Sequence, residues 1–203
     1  MKKAFLVIFL VLFIDQALKF YIKTHFFLGE EYPVFGKWFI IHFTENNGMA
    51  FGMEIMGRYG KLILSLFRIV AAVGILWYLF YLSKKHAPTN MIIGFAMICA
   101  GALGNIIDSF FYGMLFNDSS YQVAEFLPSA GGYAGILYGK VVDMLYFPVI
   151  EGHFPSWFPF WGTEEFIFFR PVFNVADASI TLGVAVVILF QKDFFHKTQE
   201  QSE

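Results

Sequence analysis

Four stretches of the chain are almost continuously apolar: residues 4–22, 62–82, 90–112 and 175–190. A helix needs roughly 20 such residues to cross the hydrocarbon core of a bilayer, and the last stretch is short by that measure. The runs are continuous rather than alternating, which predicts helices and disfavours a transmembrane barrel. Two long segments, 23–61 and 113–174, lie between them on one side. Residues 26–58 alternate aromatic and polar positions around Gly and Pro, as in "YPVFGKWFIIHFTENNG", and predict a small sheet lying at the membrane interface. The stretch "LPSAGGYAGILYG" (127–139) is expected to form a flexible loop, and the Trp-, Phe- and Pro-rich residues 146–172 an interfacial aromatic belt. There is no internal repeat. The pattern predicts one integral membrane domain over 1–203, all-α, with four transmembrane helices and a small sheet-and-loop region at the outer interface.

Composition agrees with this picture. The 203 residues are 58% hydrophobic and only 15% charged, too apolar for a disordered chain and too poor in polar surface for a water-soluble domain. A net charge of −2 without a basic stripe excludes a nucleic-acid binder, and the single Cys99 excludes a disulfide scaffold. Lys2 and Lys3 precede the first apolar run as they would in a secretory signal. No small-residue cleavage site follows, and Asp15 and Lys19 interrupt the run, so a retained first span is expected.

Flanking charges set the orientation. One side carries Lys2, Lys3, Lys84, Lys85, Lys192 and Lys197. The other carries Lys23, Lys37, Arg58, Lys61, Lys140 and Arg170, diluted by a long acidic segment. Both termini are therefore expected on the cytoplasmic side and both long loops outside.

With this orientation the charges inside the spans fall at one depth. Asp15 and Lys19 lie in the outer half of the first span, Arg68 in the outer third of the second, Asp108 near the outer end of the third and Asp177 at the outer start of the fourth. Residues 4–14, 69–83 and 178–191 carry no charge. A charge at mid-bilayer costs at least about 2.5–3.5 kcal/mol, so five groups gathered at one level point to a polar site. Each also has a plainer role. Asp15 and Lys19 sit at i, i+4 and can pair along one helix face. Lys19 and Arg68 can snorkel to the interface, the expected role for Arg68. Asn174 and Asp177 resemble an N-cap followed by an acidic first turn. Ala96, Ala100, Gly101 and Gly104 suit close helix packing, and Cys99 is expected to be a packing residue.

The chemistry narrows by elimination. There is no H-E-x-x-H, G-x-S-x-G or Walker motif, and the five histidines are scattered. Carboxylates and asparagines are left. A proton-coupled transporter would use intramembrane Asp and Lys, but the uncharged inner halves offer no polar path across. A non-catalytic assembly or chaperone subunit is the other alternative.

Five motifs then become specific: Asp15-x-x-x-Lys19, "NNGMAF" (46–51), "GALGNIID" (101–108), "VVDM" (141–144) and "FNVAD" (173–177). In this order, at these span positions, they resemble lipoprotein signal peptidase (signal peptidase II), the bacterial aspartic protease of the inner membrane. The resemblance covers nearly the whole chain. It implies a catalytic pair at Asp143 and Asp177, and substrate-binding or supporting roles for Asp15, Lys19, Asn46, Gly48, Asn105, Asp108 and Asn174. It implies no cofactor and no metal. The substrate it implies is a prolipoprotein, cut just before a cysteine that carries a diacylglyceryl thioether, with its acyl chains left among membrane lipid. The enzyme is expected to be a monomer in the inner membrane with its site near the periplasmic face.

Two features depart from the family pattern. Ser109 stands where the family usually has Arg, which would hold the substrate backbone; Arg68, Lys140 and Arg170 are the candidate replacements. Segments 113–139 and 145–172 are also longer than expected and suggest a larger lid or an extended sheet. The chemistry itself needs an acid and a base. Two close carboxyls share one proton, so one can take a proton from water while the other hydrogen-bonds the scissile carbonyl. Asp177 sits in a helical first turn, where the dipole favours an anion, so it is the expected base and Asp143 the expected acid.

Overall fold

A computed structural model describes residues 1–47, 57–148, 150–153, 157, 165–168 and 171–200. In chain order it has α1 (Lys2–His25), β1 (Glu31–Phe35), β2 (Phe39–Asn46), α2 (Gly57–Lys84), α3 (Thr89–Ile107), a π-helical turn (Asp108–Tyr112), α4 (Gly113–Leu115), β3 (Val141–Tyr146), β4 (Ile150–His153), β5 (Glu165–Phe168) and α5 (Val175–Glu200).

Among the described residues three helices are long and apolar enough to cross a membrane: Lys2–His25, Tyr59–Lys84 and Thr89–Leu115. The apolar part of α5, Val175–Gln191, is shorter. Phe5, Phe9, Phe13, Phe67, Val70, Trp77 and Leu189 all point outward. In water such an apolar exterior would be an aggregation surface; against lipid it is the expected face of a span. The helices extend past the apolar windows because the polar residues at their ends continue the same backbone hydrogen bonding.

Close backbone approach holds α3 against α5. A Cβ on Gly101 would lie 2.2 Å from the carbonyl oxygen of Ala176, a separation no side chain permits. The packing role expected for the small residues of α3 is thus realised at the contact that places the start of α5.

β1, β2 and β3 form an antiparallel sheet in that order, with Glu31 opposite His42 and Thr44 opposite Asp143. The strands expected within 26–58 are therefore present, and β3 completes the sheet from across the chain. Val142 and Met144 pack with Phe43, Ile22, Tyr112 and Phe116 in a buried cluster. Strand alternation turns Asp143, between them, to the other face. Much of the aromatic stretch 146–172 lies outside the described residues; within it β4 and β5 pair antiparallel.

The stretch 127–139 forms no strand or helix, as expected of a loop, but its backbone is fastened. Leu127 N–H donates to the Leu115 carbonyl (2.8 Å), Ala134 N–H to Gly113 (2.8 Å) and Gly139 N–H to Ser109 (2.9 Å). A Cβ on Gly139 would lie 2.1 Å from the carbonyl oxygen of Asp108, so only glycine lets the loop seat on the π-helical turn.

Candidate active site

Asp143 comes from the middle of β3 and Asp177 from the first turn of α5. Asn174 joins them. As the residue before α5, it accepts the Asp177 N–H on its side-chain oxygen (2.9 Å), and its own N–H donates to the Asp177 Oδ2 (3.4 Å). This is a reciprocal capping box, and it realises the N-cap expected from the three-residue spacing. The Asn174 amide nitrogen then donates to Asp143 Oδ1 at 2.7 Å. Asn46, at the end of β2, donates to the other Asp143 oxygen at 3.3 Å.

Asn105, in the last turn of α3, links the pair to the buried charges. Its amide nitrogen donates to Asp177 Oδ1 (2.8 Å), while its oxygen accepts from Asn174 (3.1 Å) and from Lys19 Nζ (3.0 Å). Lys19 also contacts Asp15 (2.9 Å) and Asp108 (2.8 Å), and all three of these side chains are fully buried. Its three N–H donors therefore have three acceptors, which is what makes a buried ammonium tolerable. The i, i+4 pairing of Asp15 with Lys19 is real, but it is one edge of a larger network. Asp15 also accepts the backbone N–H of Ala176 (2.8 Å), one of the unpaired donors at the start of α5. Asp108 accepts from Gln16 (2.9 Å) and from the Val142 N–H (3.3 Å).

The structure thus gathers Asp15, Lys19, Asn46, Asn105, Asp108, Asp143, Asn174 and Asp177 into one hydrogen-bonded cluster. Gly48 lies outside the described residues. Burial, and then the charge of Asp177, raises the Asp143 carboxyl to about 7. A carboxyl in that range beside a second carboxyl can exchange a proton near neutral pH. Beside Asp177 opens a cavity of about 370 Å³, lined by Pro171, Phe173, Asp177, Ala178, Thr181 and Leu182 and mostly apolar.

Sequence inspection misses several participants. Gln16 bonds Asp108 and the Gly104 carbonyl and accepts the Tyr112 hydroxyl (3.2 Å); its amide in an apolar run was the available signal. A second buried cluster lies beside the site. Lys23 pairs with Glu45 and bonds Ser119 (2.8 Å), and Lys140 reaches the other Glu45 oxygen (2.9 Å). Burial opposes ionisation of Glu45, yet Lys23 and Lys140 outweigh it and hold the carboxyl below its ordinary range. Nothing local in the sequence links residues so far apart.

Ser109 is buried and its hydroxyl bonds back to the Asn105 carbonyl (3.0 Å), so it presents nothing to a ligand. Of the candidate replacement cations, Lys140 is engaged by Glu45 and Arg170 lies outside the described residues. Arg68 is half-buried, within electrostatic reach of Asp177, Asp143 and Asp108.

The model of a family described as signal peptidase (SPase) II matches residues 7–192. The lipoprotein signal peptidase of Porphyromonas gingivalis is 50% identical over 183 residues, 90% of this chain and 79% of that protein. That of Amoebophilus asiaticus is 35% identical, over 89% of this chain and 73% of its own. A solved bacterial membrane enzyme superimposes with a TM-score of 0.61 at 25% identity, covering 95% of this chain and 90% of that one.

Proposed function

The chain belongs to the signal peptidase II family of proteases, and we propose that Asp143 and Asp177 are its catalytic pair. The observation that carries this is the double engagement of Asn174, which caps the turn holding Asp177 and bonds Asp143 at 2.7 Å. One asparagine fixes both carboxyls relative to each other. The substrate is a prolipoprotein, and the bond cut precedes a cysteine bearing a diacylglyceryl thioether.

In the first step Asp177 takes a proton from water as the oxygen attacks the scissile carbonyl carbon. Asp143, held protonated by its buried setting, gives its proton to the carbonyl oxygen, forming a neutral tetrahedral diol. In the second step Asp177 returns its proton to the amide nitrogen and the C–N bond breaks. One diol hydroxyl gives its proton back to Asp143 and becomes the new carboxyl oxygen of the signal peptide. The lipidated cysteine leaves with a free amino group, and both aspartates regain their starting states. No cofactor takes part.

Asn46, Asn105, Asp15, Lys19, Asp108 and Asn174 hold the pair in place, and Gly48, outside the described residues, keeps the substrate-binding or supporting role that the family resemblance implies for it. The apolar cavity beside Asp177 receives an apolar part of the substrate close to the reacting bond. The fourth apolar helix, α5, completes a four-span monomer in the bacterial inner membrane. Its termini are cytoplasmic and its site opens near the periplasmic face, where acyl chains stay in the bilayer while water reaches the peptide. The test is cleavage of a diacylglyceryl-modified prolipoprotein by purified protein. Wild type cleaves before the lipidated cysteine, and folded Asp143→Asn and Asp177→Asn do not; cleavage by either variant at the wild-type rate refutes the pair.

A further inference from the structure

The strands β2 and β3 change register on their way to the site. Ile41 stands opposite Leu145 and Thr44 opposite Asp143, so three steps along β2 match two along β3. This is a β-bulge, with one extra residue in β2. Beyond it come the pairs Thr44–Asp143, Glu45–Val142 and Asn46–Val141. Strand alternation puts Asn46 and Asp143 on one face. It puts Glu45, Val142 and Lys140, immediately before β3, on the other. Each face carries one diagonal contact between the strands. On the first, the Asn46 amide donates to Asp143 at 3.3 Å. On the second, Lys140 Nζ donates to Glu45 Oε2 at 2.9 Å. A slip of one residue would turn Asp143 away from Asn46.

The second diagonal is anchored at both ends. The other Glu45 oxygen meets Lys23 Nζ from α1 and the Ser119 hydroxyl (3.2 Å). Lys140 is held through its backbone N–H, which donates to the Tyr133 hydroxyl at 2.6 Å. The Tyr133 ring lies against both ammonium groups, 5.0 Å from Lys23 Nζ and 5.4 Å from Lys140 Nζ. Lys23 stands one turn beyond Lys19, which bonds Asn105 and through it the Asp177 side of the site. We propose that Glu45 and Lys140 are positioning residues: their ion pair fixes β2 against β3 beyond the bulge and so keeps the Asn46 amide on Asp143. Neither touches the reacting atoms. Lys23 and Ser119 already satisfy one Glu45 oxygen, so Lys140 supplies what they do not, a bond from the residue that leads into β3.

The assignment rests on the aspartate-pair reading, and one assay tells the two apart. Purified full-length wild type, Lys140→Met, Lys140→Arg, the double variant Lys23→Met/Glu45→Met, Asp143→Asn and Asp177→Asn are given a synthetic diacylglyceryl lipopeptide. Values of kcat and KM across pH are measured beside thermal unfolding. Lys140→Met leaves Glu45 its contacts with Lys23 and Ser119, so it should unfold near the wild-type temperature. Its kcat should fall about 3- to 10-fold, the worth of one hydrogen bond, with KM within about twofold of wild type. Lys140→Arg can reach the same oxygen and should regain most of that loss. A donated amide favours the ionised carboxyl, so loosening Asn46 should move the loss of kcat/KM toward higher pH. The double variant leaves the net charge unchanged and should show the same upward move, which the missing charge of Lys140 alone would not produce there. The assignment is overturned if Lys140→Met keeps the wild-type kcat, or if Lys140→Arg is no better than Lys140→Met. It is also overturned if the pH shift is absent from the double variant, or if the losses follow unfolding. If Asp143→Asn or Asp177→Asn cleaves at the wild-type rate, the pair reading falls instead.

Discussion

Asp15 on α1 accepts the backbone N–H of Ala176 on α5 at 2.8 Å. A carboxylate from one helix thereby supplies the N-terminal cap of another, one residue before Asp177. The same carboxylate pairs with Lys19 at 2.9 Å, so the position of α5 is coupled to the buried ammonium. Asp15→Ala removes the cap and leaves Lys19 short of one acceptor. Breaking a buried pair from one side costs about 3–5 kcal/mol, so a marked fall in thermal stability is expected. Asp15→Asn keeps an oxygen for the Ala176 N–H and should fall less. Equal unfolding temperatures for wild type and Asp15→Ala would contradict the role.

Asn174 allows its two tasks to be separated. Serine caps a helix about as well as asparagine, but it lacks the amide that donates to Asp143. Asn174→Ser should therefore stay within about 1 kcal/mol of wild-type stability while losing most of its activity. Asn174→Ala loses both tasks, and should be less stable than Asn174→Ser by about 1 kcal/mol. Comparing unfolding midpoints with initial cleavage rates checks both statements.

The raised carboxyl of Asp143 has a sign that can be tested. Between the ordinary aspartate range and about 7, the folded protein holds a proton there that the unfolded chain has released. Stability from this group therefore falls as pH rises through that window. Asp143→Asn removes the penalty, so the variant should unfold at a higher temperature than wild type at pH 8. The gap should close toward pH 4. In wild type, kcat/KM should fall as pH rises through about 7, where the acid is lost. A gap that widens toward low pH would contradict the assignment.

Glu45 behaves in the opposite sense. Its carboxyl is held below the ordinary range by Lys23 and Lys140, so its contribution is present above that range and lost as pH falls through its lowered value. Glu45→Gln leaves the buried Lys23 without its counter-charge and should cost about 3–5 kcal/mol. Lys23→Met combined with Glu45→Gln should recover much of that loss. Thermal unfolding of wild type, Glu45→Gln, Lys23→Met and the double variant in one detergent measures the recovery, and additive losses would show that the pair is not coupled.

How much of this is visible in the chain depends on range. The spans show in the sequence because lipid demands long apolar runs, and Lys2–His25, Tyr59–Lys84 and Thr89–Leu115 follow them closely. The β1–β2 hairpin shows because alternation is local. The Asn174–Asp177 cap and the Asp15–Lys19 pair also show, since three- and four-residue spacings map onto one helical turn. What Lys19 meets beyond Asp15 does not, because Asn105 and Asp108 arrive from another helix. The Lys23–Glu45–Lys140 cluster and the seating of Gly139 on the π-helical turn are hidden for the same reason. Arg68 shows how one helical face can mislead. Its place near a span end suggests snorkelling, but it shares a helix face with Lys61 and Ser65, which turn inward to bond Asn47 and the Leu137 carbonyl.

The most direct measurement is cleavage of a diacylglyceryl-modified prolipoprotein by the purified protein, beside Asp143→Asn and Asp177→Asn of verified fold. Release of the lipidated cysteine with a free amino group by wild type alone is the result expected of an Asp143–Asp177 pair. Cleavage by either folded variant at the wild-type rate would contradict it.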